Sequence, residues 1–261
     1  MILSNIQNNF FAAVAWELER LLSQSGRAML LYTSNEDPDI QDRCLEDIRA
    51  RQVSGVFFLC ATNSPRLQDF VTSGPVVFIN RRIASLPDVS FVGIDDRAAA
   101  RELMETMLRR QGEQSFGLIH GPLSSDTSSR RLEGMLAACK EAGMEISSNH
   151  IREANLSMEG GYEAACSLLA NKPLATLFCG NDQIGYGAYR RCRELGLRVP
   201  DEIAIYGFDD NPLNEWLAPW LNTVRVPHLS FAKTAIDQMQ RLVDGHDAES
   251  LTIPYQVILR S

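Results

Sequence analysis

Short apolar runs of β-favouring residues recur along this chain, with amphipathic helical stretches between them, and this alternation limits the possible folds more than any other feature. The runs are Val53–Cys60, Val76–Asn80, Phe91–Ile94, Ser115–His120, Ala175–Cys179 and Ile203–Phe208. Each is nearly continuous in apolar residues, as expected of strands buried on both faces of a parallel sheet. The helical stripes fall at Phe11/Val14/Leu18/Leu21/Leu22, Ile40/Cys44/Leu45/Ile48, Leu103/Met104/Met107/Leu108, Leu132/Met135/Leu136/Cys139, Ile184/Ala188/Cys192/Leu195 and Leu229/Ala232/Ile236/Met239/Leu242. All follow the i, i+3/i+4, i+7 rule. Strand–helix–strand units with short connections give an α/β doubly wound sheet. A chain of 261 residues suits two lobes of about 100–150 residues rather than one core.

Composition excludes several classes. No apolar run reaches the ~18 residues that would span a membrane. The stretch Met1–Phe11 lacks the basic and apolar regions of a secretory signal, which leaves a mature periplasmic protein compatible. A net charge of −8 repels a phosphate backbone, so direct nucleic-acid contact by these residues is disfavoured. Six cysteines form no CxxC pair, and four histidines are scattered. The cysteines read as small buried hydrophobes in a reducing compartment, and no metal or cofactor is called for.

The two ends carry expectations of their own. Only Met1-Ile2-Leu3 precede the polar stretch Ser4–Asn9, although a buried strand runs to about five or six residues. A strand start upstream of Met1 is therefore expected. Ile253–Leu259 reads as a final strand.

In open α/β sheets ligands bind beyond the carboxyl ends of the strands. The residues there are rich in short amides, carboxylates, hydroxyls and arginine: Asn5–Asn9, Thr33–Asn35, Asn80-Arg81, Asp95-Asp96, Gly121–Arg131, Gly180–Asp182 and Asp209–Asn211. Such groups can orient a polar ligand. Many also suit helix N-caps, as Asp37 before Pro38 and Asp126-Thr127-Ser128 illustrate. Arg131 is different, because a cation near a helix start opposes the dipole and suggests a bound partner. The adjacent pair Asp209-Asp210 is no catalytic dyad: neighbouring side chains diverge, and no nucleophile accompanies them. Trp216 and Trp220 read as structural.

Several stretches carry a resemblance. Gly207-Phe208-Asp209-Asp210-Asn211-Pro212, followed by Ala218-Pro219-Trp220-Leu221-Asn222-Thr223-Val224-Arg225-Val226-Pro227, resembles the GFDD…TTVxxP signature of the lac/galactose repressor family. Leu195–Ile203 resembles its LGLRVPEDI element, and Gly121–Ser125 with Arg131–Gly134 its GP…RLxGF element. Asn8-Asn9-Phe10-Phe11 is similar to NPFF, with Asn9 where proline is usual, and Gly180-Asn181-Asp182 is similar to AND. The order is kept along essentially the whole chain. The GFDD-to-TTV stretch points to the repressor branch over the periplasmic sugar-binding receptors, which remain the alternative reading; an α/β enzyme is a third.

The resemblance implies a periplasmic-binding-protein-like fold of type I. Its lobes would be 1–95 with 227–246 and 96–226 with 250–261, joined by three crossovers. It implies a small-molecule effector, a sugar or related polar metabolite, held in an interlobe cleft, a side-by-side homodimer, and a cytoplasmic regulator. Operator DNA would be bound only through a helix-turn-helix headpiece that these residues do not include, and the short first strand is read as trimming. By motif position Arg131 would donate to the effector, Asp209 would accept from it, and Asn181 would hold its other edge. Asn80 would act from the N-terminal lobe. Phe10 and Phe11 would offer an aromatic face, and Ser125 and Thr127 would contact ligand. Leu156 stands where members place a stacking Trp or Phe, which weakens sugar stacking from that side.

Overall fold

The computed structural model describes residues 1–111, 115–170 and 174–260. In chain order the first elements are β1 (Ile2–Leu3), α1 (Asn9–Gln24), β2 (Tyr32–Thr33), α2 (Pro38–Ala50), β3 (Val56–Leu59), α3 (Leu67–Val71), β4 (Val76–Ile79) and β5 (Ser90–Gly93). Next come α4 (Asp96–Gln111), β6 (Phe116–His120), α5 (Asp126–Glu141), β7 (Ile151–Glu153), α6 (Met158–Leu168), β8 (Thr176–Cys179), α7 (Asp182–Glu194) and β9 (Ala204–Tyr206). The chain finishes with α8 (Asn214–Leu217), β10 (Thr223–Arg225), α9 (His228–Val243), β11 (Leu251–Thr252) and β12 (Gln256–Ile258). Two compact units result, Met1–Ile94 with Pro227–Pro254, and Asp95–Val226 with Tyr255–Ser261.

The first unit is built on a six-stranded sheet in the order β11-β5-β4-β3-β1-β2, with every pairing parallel. Its core includes Phe58, Phe70 and Phe78, whose rings meet edge to face. The second unit has a four-stranded parallel sheet, β7-β6-β8-β9, and an antiparallel ribbon of β10 and β12. In both sheets the order reverses once, beside β1 and beside β6, and each reversal is a topological switch point.

The strands are shorter than their apolar runs. Val53 is exposed and Gln52 takes a positive φ of 52°, so β3 starts at Val56. Asn80, at φ 70°, leaves the β4 ladder. Of the predicted final strand Ile253–Leu259 only Gln256–Ile258 forms a ladder, and a further short strand, Leu251–Thr252, precedes it. Leu251–Thr252 extends the first sheet along β5, while Gln256–Ile258 pairs with β10. Pro254 between them has no N–H to donate and a fixed φ, so one ladder cannot run through it. Residues 250–254 therefore fall with the first unit, whereas the sequence placed them in the second.

Side-chain caps form at the starts of α2 and α1. Asp37 accepts from Asp39 and Ile40 N–H, with Pro38 in the first turn, and Asn8 accepts from Phe10 N–H. The buried face of α5 is rotated from the predicted stripe: Leu136 is exposed, while Arg131, Gly134, Met135, Ala138 and Cys139 are buried. The cause is Gly134, where a Cβ would lie 2.1 Å from the Arg97 carbonyl oxygen, so the backbones of α4 and α5 nearly touch.

Gly187 does the same for α6 and α7: a Cβ there would stand 2.0 Å from Met158 O and 2.6 Å from Tyr162 N. Gly187→Ala should force these helices apart and cost about 1–3 kcal/mol, the range for overpacking. Thermal denaturation checks this against Gly74→Ala, whose added methyl would meet nothing within 4 Å. Equal melting temperatures for the two variants would refute the close-packing account.

Candidate functional site

In the second unit the switch point lies between β6 and β8, and two glycines follow those strands. A Cβ on Gly180 would lie 3.1 Å from Gly121 N, so the two loops approach backbone to backbone. Around this point gather Arg131 from α5, Asp96 from the first turn of α4, Asn181 before α7, and Asp209 after β9.

Arg131 is the hub. Its Nε donates to Asp96 Oδ1 at 2.7 Å, its Nη1 donates to Gly180 O at 2.8 Å, and its Nη2 lies 3.5 Å from Asp209 Oδ1. The guanidinium carbon lies 3.6 Å from the centre of the Phe208 ring, a cation–π contact. Arg131 falls in the second turn of α5, past the exposed N–H groups, and its charge is met by two internal carboxylates. The helix-dipole conflict foreseen in the sequence is thereby removed, and it is the fold that supplies the partners.

Asp209 and Asp210 are both in the positive-φ region, at 108° and 53°. Such backbone is costly for non-glycine residues and persists when its surroundings fix it. Here Asp209 N–H donates to Val224 O and Val226 N–H donates to Asp209 O. The two carboxylates diverge: Asp209 faces Arg131, while Asp210 accepts from Arg225 Nε at 2.6 Å and Arg260 Nη2 at 2.5 Å.

Burial pushes the Asp209 carboxyl up to about 8, reinforced by Asp182 and Asp96 and opposed by Arg131. Burial also raises the Asp96 carboxyl, and outweighs the Arg131 ion pair. Asp182 is raised to about 6 by burial, against the hydrogen bonds it accepts from Asn211 N–H, Thr223 Oγ1 and Asn214 Nδ2. Asp182 thus ties the start of α7 to the segment after β9 and to the first residue of β10.

Of the residues singled out in the sequence, the second unit brings Arg131, Asp209 and Asn181 to one point, with Leu156 beside Gly121. Asn181 is an N-cap: its Oδ1 accepts from Ile184 N–H at 2.9 Å, which leaves Nδ2 as its donor. Ser125 precedes α5 but makes no side-chain cap; its Oγ bonds Thr127 Oγ1 at 2.9 Å instead. The capping expected of Asp126-Thr127-Ser128 is therefore not made.

In the first unit Phe10 packs against Phe11, His228 and Phe231, so these rings are buried in the seam of α1 and α9 rather than laid open as a platform. Asn80 is buried, its Nδ2 facing Cys60 Sγ at 3.6 Å and its Oδ1 without a hydrogen-bond partner. Nearby Arg81 forks onto Glu36, which also accepts from Ser4. The sequence missed Glu36, Asp96, Asp182 and Arg260 as specific partners. Trp220 stacks on Tyr189 as a structural residue would, but Trp216 is 81% exposed and is not one.

Two parallel α/β units, each with polar side chains beyond the carboxyl ends of its strands, define a small-molecule-binding core of the periplasmic-binding-protein-like class. The family model described as periplasmic binding proteins and sugar binding domain of LacI family matches residues 1–254, and the chain belongs to that family. An uncharacterized HTH-type transcriptional regulator from Streptomyces limosus is 32% identical over 249 residues, covering 90% of this chain and 69% of that protein. The HTH-type transcriptional repressor PurR of Haemophilus influenzae (strain PittEE) is 29% identical over 95% of this chain and 74% of its own length. The crystal structure of transcription regulator CcpA of Lactococcus lactis has the same fold, with a TM-score of 0.89 at 23% identity, over 99% of this chain and 96% of that one. The relatives are transcriptional regulators and not enzymes, and this chain spans the effector-binding core of such a regulator. Among the described residues no helix is long and apolar enough to cross a membrane.

Proposed function

We propose that this core binds a small hydroxyl-rich metabolite, a sugar, and that binding controls operator recognition by a helix-turn-helix segment of a cytoplasmic, homodimeric repressor. The observation that carries the reading is the buried donor–acceptor pair Arg131–Asp209 at the switch point of the second unit. A guanidinium beside a carboxylate matches a diol, which both accepts and donates. Asn181 Nδ2 supplies a further donor, with Leu156 as an apolar wall and Ser125 and Thr127 at the start of α5. In the first unit, taken by itself, Asn80 Oδ1 is buried without a hydrogen-bond partner and is an acceptor for a hydroxyl. That the relatives are transcriptional regulators favours a repressor over a periplasmic receptor. The effector acts only through its differential affinity for two states of the regulator.

A thermal-shift screen of sugars, sugar phosphates and nucleobases tests this. A ligand at about 100 times its Kd should add about 2.7 kcal/mol of stability. Arg131→Gln and Asp209→Asn should abolish that gain. An unchanged gain in both variants would remove these residues from the site. The dimer is checked by sedimentation at micromolar concentration, where a pure monomer would refute it.

A further inference from the structure

We propose that Asp96 is a built-in anion that sets the charge of the ligand: with it in place, the site around Arg131, Asp209 and Asn181 takes an uncharged, hydroxyl-bearing molecule and excludes phosphate esters and carboxylates. The inference rests on the effector-binding reading given above.

An incoming carboxylate or phosphate gains most from two parallel N–H bonds along one edge of an arginine. Arg131 has two such edges, Nε with Nη2 and Nη1 with Nη2. Asp96 occupies Nε at 2.7 Å, Gly180 O occupies Nη1 at 2.8 Å, and Asp209 faces Nη2 at 3.5 Å. Neither edge is free for a fork. One face of the plane is covered by Phe208. What remains open suits a single bond to a neutral hydroxyl oxygen.

Asp96 cannot step aside cheaply. Its side chain is 4% exposed and that of Arg131 is 8% exposed. Breaking such a pair leaves a charge buried without its partner, which costs several kcal/mol. The carboxylate also sits at the first turn of α4, where the helix dipole favours a negative charge.

The charge balance points the same way. Arg131 is matched in charge by Asp96 and also faces the Asp209 carboxyl, and Asp182 lies close enough to act on Asp209. Arg130 and Asp126 are the other charges that act on Asp96. Arg130 is itself paired with Asp95, and Arg225 and Arg260 are both spent on Asp210. An added anion would therefore enter a buried region where no cation is left over from these pairs. A polyol would instead donate to Asp209 and accept from Arg131 with no change in net charge.

The test measures binding of inorganic phosphate and of ribose 5-phosphate by calorimetry, at pH 7 and matched ionic strength, to the wild type, Asp96→Asn and Arg131→Gln. Asp96→Asn keeps an oxygen for Arg131 Nε and removes the charge, with an NH2 in place of the second oxygen. The expected result is no measurable phosphate binding by the wild type and at least a tenfold gain in affinity in Asp96→Asn. Wild-type binding of either probe that disappears in Arg131→Gln would overturn the proposal while leaving the effector site standing. A folded Asp96→Asn with no gain would also overturn it. The wild-type arm decides the matter whether or not the variant folds. Failure of the effector-binding reading shows elsewhere, as a sugar-induced stabilisation that Arg131→Gln leaves intact.

Discussion

Arg131→Ala is expected to destabilise the protein by about 3–5 kcal/mol at neutral pH, the largest effect of any single truncation proposed for the second unit. The variant removes the hydrogen bonds to Asp96 and Gly180, the ion pair to Asp209 and the contact with Phe208. Most of the cost comes from what stays behind, above all the buried Asp96 carboxylate with no counter-ion. Chemical denaturation would measure it, and a loss under about 1 kcal/mol would contradict a buried ion-pair network. The cost should shrink as the pH falls toward 4, because Asp96, whose carboxyl burial already raises, then takes up a proton. The double variant Arg131→Gln/Asp96→Asn should cost less than the sum of its singles, since neither strands a charge on the other.

The second large effect is on pH dependence. The folded-state pKa of Asp209 is about 8, above the ordinary carboxylate value of about 3.9. The folded protein then holds this proton more tightly than the unfolded chain does. That contribution is complete below about pH 4 and is lost as the pH rises to about 8. Asp209→Asn cannot titrate. Its stability relative to wild type should rise steadily from pH 4 to pH 8, by an amount on the order of a few kcal/mol. The same variant should lose effector binding, so stability and function would separate. A difference between the two proteins that stays flat over this window would show that Asp209 is ionised throughout. Asp182, raised to about 6, contributes in both proteins and cancels in the comparison.

The chain's local patterns were a good guide wherever the physics is local. Apolar runs such as Val56–Leu59 and Thr176–Cys179 are buried along their whole length, and only their ends were overrun. Caps at Asn8, Asp37 and Asn181 depend on bonds to N–H groups two or three residues away. The polar residues after each strand reached the right end of the sheet, because a parallel sheet points all its carboxyl ends one way. The order Arg131, Asn181, Asp209 was legible from the motifs, and their convergence followed from the topology they imply.

What the sequence could not supply is the pairing between loops. Asp96 and Arg131 are 35 residues apart, Asp182 and Thr223 are 41 apart, and Asp210 and Arg260 are 50 apart. Periodicity carries no information at those separations. Gly134 looked like one more residue near a helical stripe, yet the approach of α4 rotated the whole face of α5. Pro254 looked like the inside of a strand, yet it divided two residues of one sheet from three of another. The sequence by itself determined the two-unit α/β architecture and the residue types at the strand ends, since backbone periodicity and burial are set by neighbours in the chain. Only the tertiary structure decided which carboxylate meets which arginine, because the free donors of Arg131 depend on groups that folding alone brings within 4 Å.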